Sequence, residues 1–173
     1  MAYLNKGLDL QLIDEHDGKE ISFFFDGGIA SFVQHIDANR HSLIEKPFYV
    51  SKAVNEAVVE IAFQYNDGFA DTTLCFANCI NNRDGGTHLT GFRAGLTRVL
   101  NDYARKQKLL RDDMTNLQGE DVREGITAVI SVRLTDPQFE GQTKGKLGNP
   151  EIKGYVETVM GEQLSAWLEE HPP

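Results

Sequence analysis

Residues 59–65 place the strongest constraint on the fold. Val59, Ile61, Phe63 and Tyr65 alternate with Glu60, Ala62 and Gln64, the period of a strand with one strongly apolar side. Asn66-Asp67-Gly68 follows, a run that tolerates positive φ and closes turns. A second strand-like run occupies 72–79. The pattern predicts a hairpin of these two runs with one buried face, so other segments must cover that face.

The flanking segments have the right periods to do so. Alternation at 8–13, a turn at Asp17-Gly18 and an apolar run at 21–25 predict an opening hairpin. Asp26-Gly27-Gly28 breaks the chain, and Ile29, Phe32, Val33 and Ile36 then form one face of a short helix. Asn39-Arg40-His41-Ser42 is a polar exit, and Pro47 opens a short extended piece at 48–50. After a polar turn at 81–86, a long helix is predicted over 87–108, with Leu89, Phe92, Leu96, Val99, Leu100 and Tyr103 as its apolar stripe. A loop at 111–118 and a turn at Gly119-Glu120-Asp121 lead to a strand at 126–134, with Ile126, Ala128, Ile130 and Val132 on one face. Asn149 as N-cap and Pro150 as first helical residue open a last helix. Its apolar face draws on Ile152, Val156, Val159, Gln163 and Trp167, with Tyr155, Met160, Leu164 and Leu168, and Pro172-Pro173 ends it. Hairpins interrupted by helices predict an α+β fold, one sheet with helices packed on it. There is no internal repeat, low-complexity stretch or linker, so residues 1–173 read as a single domain.

Composition narrows the function classes. At 173 residues with 40% hydrophobic and 25% charged side chains, the chain has ordinary globular make-up. No apolar run approaches the roughly 20 residues of a membrane span, and 1–6 carry no secretory signal. Two cysteines, Cys75 and Cys79, make a reduced, cytoplasmic setting the expectation. They lie four apart on a predicted strand with no further cysteine, and the five histidines are scattered, so no metal site is expected. A net charge of −9 opposes a general nucleic-acid binder, and any DNA contact has to be local.

Three motifs carry chemistry. Residues 142–149 read Gln-Thr-Lys-Gly-Lys-Leu-Gly-Asn. They place Lys144 and Lys146 in a Gly-rich loop directly before a helix, with Gln142 as a neutral donor at the same tip. Cations on such a loop suit an anion, phosphate above all; on spacing alone a solvated loop with two surface lysines accounts for them. Asp84-Gly85-Gly86-Thr87-His88 lies between strand and helix and lacks the Gly-Lys-Ser/Thr of a P-loop. It reads first as a tight turn. On the long helix Arg98 and Arg105 fall opposite the apolar stripe, Arg93 on its flank and Lys106 and Lys108 near the end. They read as a DNA-facing track or as a solvated face with cations at a helix C-terminus.

The order of these motifs resembles one family over essentially the whole chain. Leu4-Asn5-Lys6-Gly7, Tyr65-Asn66-Asp67-Gly68, the run at 84–105, Gly119-Glu120-Asp121-Val122-Arg123-Glu124-Gly125 and the stretch 136–149 are similar, co-linearly, to the transducer domain of bacterial type II topoisomerase B subunits, DNA gyrase B and its topoisomerase IV relative. The resemblance implies a fold like ribosomal protein S5 domain 2, a mostly antiparallel or mixed sheet with a left-handed βαβ crossover, which local sequence does not reveal. It implies that Lys144, supported by Gln142, contacts the γ-phosphate of ATP, and that Arg93, and less so Arg98, faces a cavity through which DNA passes. It implies ATP and Mg2+ as cofactors of the full protein, the magnesium held outside this chain. The implied partners are an N-terminal ATPase domain of the same chain, the gyrase A subunit, DNA and a second B subunit, in the cytoplasm and with no membrane. The ATPase motifs and the acidic DxD motif of the cleavage core do not occur in the chain, so on this reading it is a single excised transducer domain that neither hydrolyses ATP nor cleaves DNA alone. A topoisomerase IV B subunit and a non-catalytic S5-like nucleic-acid-binding module are the alternatives.

Overall fold

A computed structural model describes residues 1–172. Strands β1 (Asp9–Ile13) and β2 (Glu20–Phe24) pair antiparallel as an exposed ribbon, followed by helix α1 (Gly28–Ile36). Strands β3 (Phe48–Val54), β4 (Ala57–Tyr65), β5 (Thr72–Ala77) and β6 (Ile80–Asn81) precede the long helix α2 (Thr87–Lys106). Strand β7 (Ile126–Arg133) and the short strands β8 (Phe139–Glu140) and β9 (Lys146–Leu147) lead to α3 (Pro150–Val159). A π-helical turn, Met160–Leu164, joins α3 to α4 (Ser165–Glu170).

The central sheet runs β3-β4-β7-β5-β6, and it corrects the predicted hairpin. β4 and β5 do not pair. β7 lies between them, antiparallel to β4 from Tyr65↔Ile126 to Val58↔Arg133 and parallel to β5 from Thr72↔Thr127 to Ala77↔Val132. The hairpin partner of β4 is β3, through a turn at Asn55, φ +53. That turn has no glycine and is the weaker local signal, whereas Asn66-Asp67-Gly68 is a stronger one that closes a different connection. Its Asn66 Oδ1 accepts the Gly68 amide at 2.9 Å, and the Asn66 amide donates to Gly125 O, ahead of β7. The parallel pair β5–β7 is connected through β6 and α2, the chain path that a crossover requires.

The sheet is buried on both faces, which corrects the expectation of one. On one side Val59, Ile61, Phe63, Ala128, Ile130 and Val132 pack on Phe92, Leu96 and Val99 of α2 and on Ile152, Val156, Val159, Met160 and Leu164 of the last helix. The two helices lie close because α2 has glycines at the contact: a Cβ on Gly91 would stand 2.5 Å from Lys153 O. The π-turn shifts the phase of the final helix. Met160 and Leu164 enter the core, while Gln163, expected inward, stays half-buried.

On the other side Ala62, Val129 and Phe76 meet Ile29 and Val33 of α1. This layer also contains a polar knot. Asp37, just beyond α1, accepts from Thr127 Oγ1 at 2.6 Å, Gln64 Nε2 at 2.8 Å and Asn66 Nδ2 at 3.1 Å, and pairs with Arg40. Burial alone would raise its pKa, but these donors and the Arg40 charge outweigh it and hold the carboxyl below its ordinary value.

Candidate functional site

The Gln142–Lys144 segment is the tip of the β8–β9 hairpin, whose pairs are Phe139↔Leu147 and Glu140↔Lys146. Two strand pairs cannot hold a loop rigidly on their own, and the neighbouring turn does much of it. The Asp84 amide donates to Gly145 O at 2.9 Å and the Leu147 amide to Gly85 O at 3.1 Å. Gly86 runs parallel beside Leu147 so closely that a Cβ there would stand 2.4 Å from Leu147 O. The Asp84-Gly85-Gly86 turn is therefore the bed of the lysine loop. Its Asp84 and Gly85 amides are taken, by Gly145 O and Asn82 O respectively.

Lys144 sits at φ +55, a conformation that costs a non-glycine residue about 1–3 kcal/mol and persists only where neighbours impose it. The imposing groups are at hand: its amide reaches Gly141 O at 3.2 Å, and its carbonyl accepts from Asn82 Nδ2 at 2.8 Å. The ammonium extends outward, 5.8 Å from the Phe139 ring centroid. It has no carboxylate partner among the described residues, whereas Lys146 is paired with Glu140 at 3.0 Å. Gln142 and Thr143 are exposed beside it.

Behind the loop, Asn82 Oδ1 meets His88 Nε2 at 3.0 Å. Burial pushes the His88 pKa down to about 4, so the ring is neutral. Its Nδ1 is buried without a partner. The sequence places His88 only in the Asp84–His88 turn and Asn82 only in the polar turn at 81–86, and gives neither a part in holding the lysine loop. The available signal was a histidine on the apolar side of α2, at i relative to Phe92 and Leu96 at i+4 and i+8.

Asn149 has another task than the expected side-chain cap. Its carbonyl accepts the Ile152 amide, but its side chain ties down the approach to the hairpin. Oδ1 accepts from the Gln138 amide at 2.6 Å, and Nδ2 donates to Asp136 O and Glu151 Oε1 at 3.1 and 3.0 Å.

Arg93 and Arg98 lie away from this tip. Arg93 Nη2 and Arg123 Nε share the Asp71 carboxylate, each at 3.1 Å. Arg98 Nη2 reaches Glu157 O at 3.3 Å and so links α2 to α3. Arg105, expected on the same track, folds back on the following loop through Arg111 O, Met114 O and Asn116 Oδ1. Cys75 is in the core, where burial raises its thiol pKa to about 12. Cys79 is not on the strand, as expected, but at φ +65 in the β5–β6 turn.

Comparison with known proteins agrees with this architecture. The family model for DNA gyrase B matches residues 28–173. The DNA gyrase B subunit of Clostridium acetobutylicum is 49% identical over 99% of the chain, and that of Halalkalibacterium halodurans 51% over 99%. In both cases the chain spans 27% of the relative's length. The 43K ATPase domain of Thermus thermophilus gyrase B, solved with an aminocoumarin, superposes with a TM-score of 0.91 at 43% identity, covering 99% of this chain and 46% of that one. The topoisomerase IV ATP-binding domain of Francisella tularensis, solved with a small-molecule inhibitor, superposes at 0.83 with 26% identity, covering 99% and 46%. No described helix is long and apolar enough to cross a membrane. With a matching family model over most of its length and the motifs at 65–68, 84–105, 119–125 and 136–149 seated in one continuous architecture, the chain belongs to the DNA gyrase B family.

Proposed function

We propose that residues 1–173 form one transducer domain of an ATP-dependent type II DNA topoisomerase, a gyrase B subunit, and that Lys144 contacts the γ-phosphate of ATP held by a neighbouring ATPase domain. The observation that carries this reading is the Lys144 tip: an exposed ammonium without an acidic partner among the described residues, on a backbone fixed from behind. A cation already in place stabilises charge developing on the phosphoryl oxygens without having to reorganise. Gln142, exposed on the same tip, donates an amide N–H to the same group. Lys146, committed to Glu140, is the weaker candidate.

The residues present fit the phosphate end of the nucleotide. No cluster of three or more His, Cys, Asp or Glu side chains suited to a metal occurs among the described residues, and this reading assigns Mg2+ and the adenine ring to the ATPase domain. Bound ATP supplies the γ-phosphate; Lys144 and Gln142 bind and orient it. Loss of that anchor after hydrolysis frees the two domains to change their arrangement, a ligand-ordered contact biasing two states. The partners in this reading are the ATPase domain of the same chain, a second B subunit, the gyrase A subunit and DNA. Arg93 is the arginine nearest to a DNA-facing role, its guanidinium part-exposed and sharing the Asp71 carboxylate with Arg123. Arg98 is the second, its guanidinium held at the α2–α3 seam.

The test is ATP turnover by the full-length subunit with Lys144→Ala. The rate is expected to fall about a hundredfold, or about 2.7 kcal/mol of transition-state stabilisation, with KM for ATP changing much less. An unchanged rate in a folded protein would leave Lys144 a surface residue and overturn the proposal. ATP turnover by the 173-residue chain alone would also contradict it.

A further inference from the structure

Two buried side chains behind the lysine loop have no part in the reading above. Asn82 is 2% exposed and His88 is fully buried. The backbone turn does not require the Asn82 side chain, because the Asn82 amide and carbonyl are already satisfied by Cys75 O at 2.8 Å and the Gly85 amide at 3.0 Å. What the pair adds is direction. An amide oxygen only accepts, so His88 donates Nε2–H to Asn82 Oδ1 at 3.0 Å. That fixes which end of the amide faces the loop, and the Nδ2 end then meets the Lys144 carbonyl at 2.8 Å. The bond falls on the one residue of the tip that is held at positive φ without being glycine. Released from it, Lys144 would relax to an ordinary backbone conformation, and its side chain would leave the tip in a different direction.

We propose that Asn82 and His88 are positioning residues for ATP turnover, a buried relay from His88 Nε2–H through the Asn82 amide to the Lys144 carbonyl that aims the lysine at the phosphate. This rests on the reading of Lys144 given above. Neither residue touches the nucleotide.

Two measurements test it together. The first is trypsin digestion of the 173-residue chain, with cleavage after Lys144 quantified by mass spectrometry. The carbonyl that Asn82 holds is the one trypsin attacks. Asn82→Ala is expected to speed that cleavage about tenfold, the weight of one lost hydrogen bond, while cleavage after the exposed Lys6 and Lys19 stays near wild type and thermal unfolding stays cooperative. The second is a double-mutant cycle on ATP turnover in the full-length subunit, with Asn82→Ala, Lys144→Ala and both. Asn82→Ala is expected to lower kcat about tenfold with little change in KM, and the double variant to be no slower than Lys144→Ala alone. Unchanged cleavage after Lys144, or effects that multiply in the double variant, overturns the relay. If Lys144→Ala itself is inert while Asn82→Ala still exposes the loop to trypsin, the phosphate contact has failed and the positioning role with it. Should Asn82→Ala fail to fold, His88→Gln and His88→Leu replace it. Gln returns an N–H at the reach of Nε2 and is expected to keep the loop protected and active, and Leu to lose both. Equal behaviour of the two overturns the relay.

Discussion

Gly86→Ala is expected to destabilise the chain by about 4 kcal/mol, from two costs that add at one atom. The first is conformational: Gly86 sits at φ +141 and ψ −163, a region that only glycine occupies readily. The second is steric. The new methyl would stand 2.4 Å from Leu147 O and 2.6 Å from Leu147 N, and Leu147 is itself fully buried, so it has no room to yield. Urea unfolding of the 173-residue chain measures the loss. The damage should also be local, because the parallel bridge between Gly86 and Leu147 fixes β9 behind the lysine tip. A variant with wild-type stability would mean that the turn and the hairpin are not locked together as described.

The second large effect is a dependence on pH that comes from His88. Its pKa is about 4 when buried and about 6.5 in an unfolded chain. Between those values the unfolded chain binds a proton that the folded one does not. Stability is therefore unaffected by this group above about pH 6.5 and falls as the pH drops from 6.5 towards 4, by up to about 3 kcal/mol. Asp37 does not blur this window. Its pKa is held below an ordinary 3.8, so its contribution is lost only at still lower pH. His88→Gln, which has no charge to gain, should flatten the slope between pH 6.5 and 4. Equal slopes for the two proteins would show that the ring is not held neutral.

Local pattern made most elements legible and failed where pairing was decided at long range. The extents of α1, α2 and β7 follow from the spacing of Ile29 and Val33, of Phe92, Leu96 and Val99, and of Ile126 to Val132. The β4–β5 hairpin failed because the alternation at 59–65 reports which way side chains point, not which strand lies alongside. The strand alongside is β7, in register over eight residue pairs, more than sixty positions on in the chain. The second buried face was hidden by Glu60, Gln64 and Thr127, polar letters that meet partners only in three dimensions. At the site, the loop's composition drew attention to Lys144 and Gln142. Nothing local could reveal that Asp84, Gly85 and Asn82, some sixty residues earlier in the chain, supply its backbone partners. The polar histidine within the apolar stripe of α2 was the one available hint.

The position of β7 also bears on how the chain is made. β4 and β5 leave their inner edges open until residues 126–133 arrive to fill the gap. At about 5–20 residues per second of synthesis, the stretch between β5 and β7 takes several seconds to appear. During that interval two apolar strands display unpaired backbone to other nascent chains. Strand β7 is thus the keystone of assembly as well as the centre of the sheet. Slowing translation between residues 77 and 126 should lower the soluble yield while leaving the stability of the folded product unchanged.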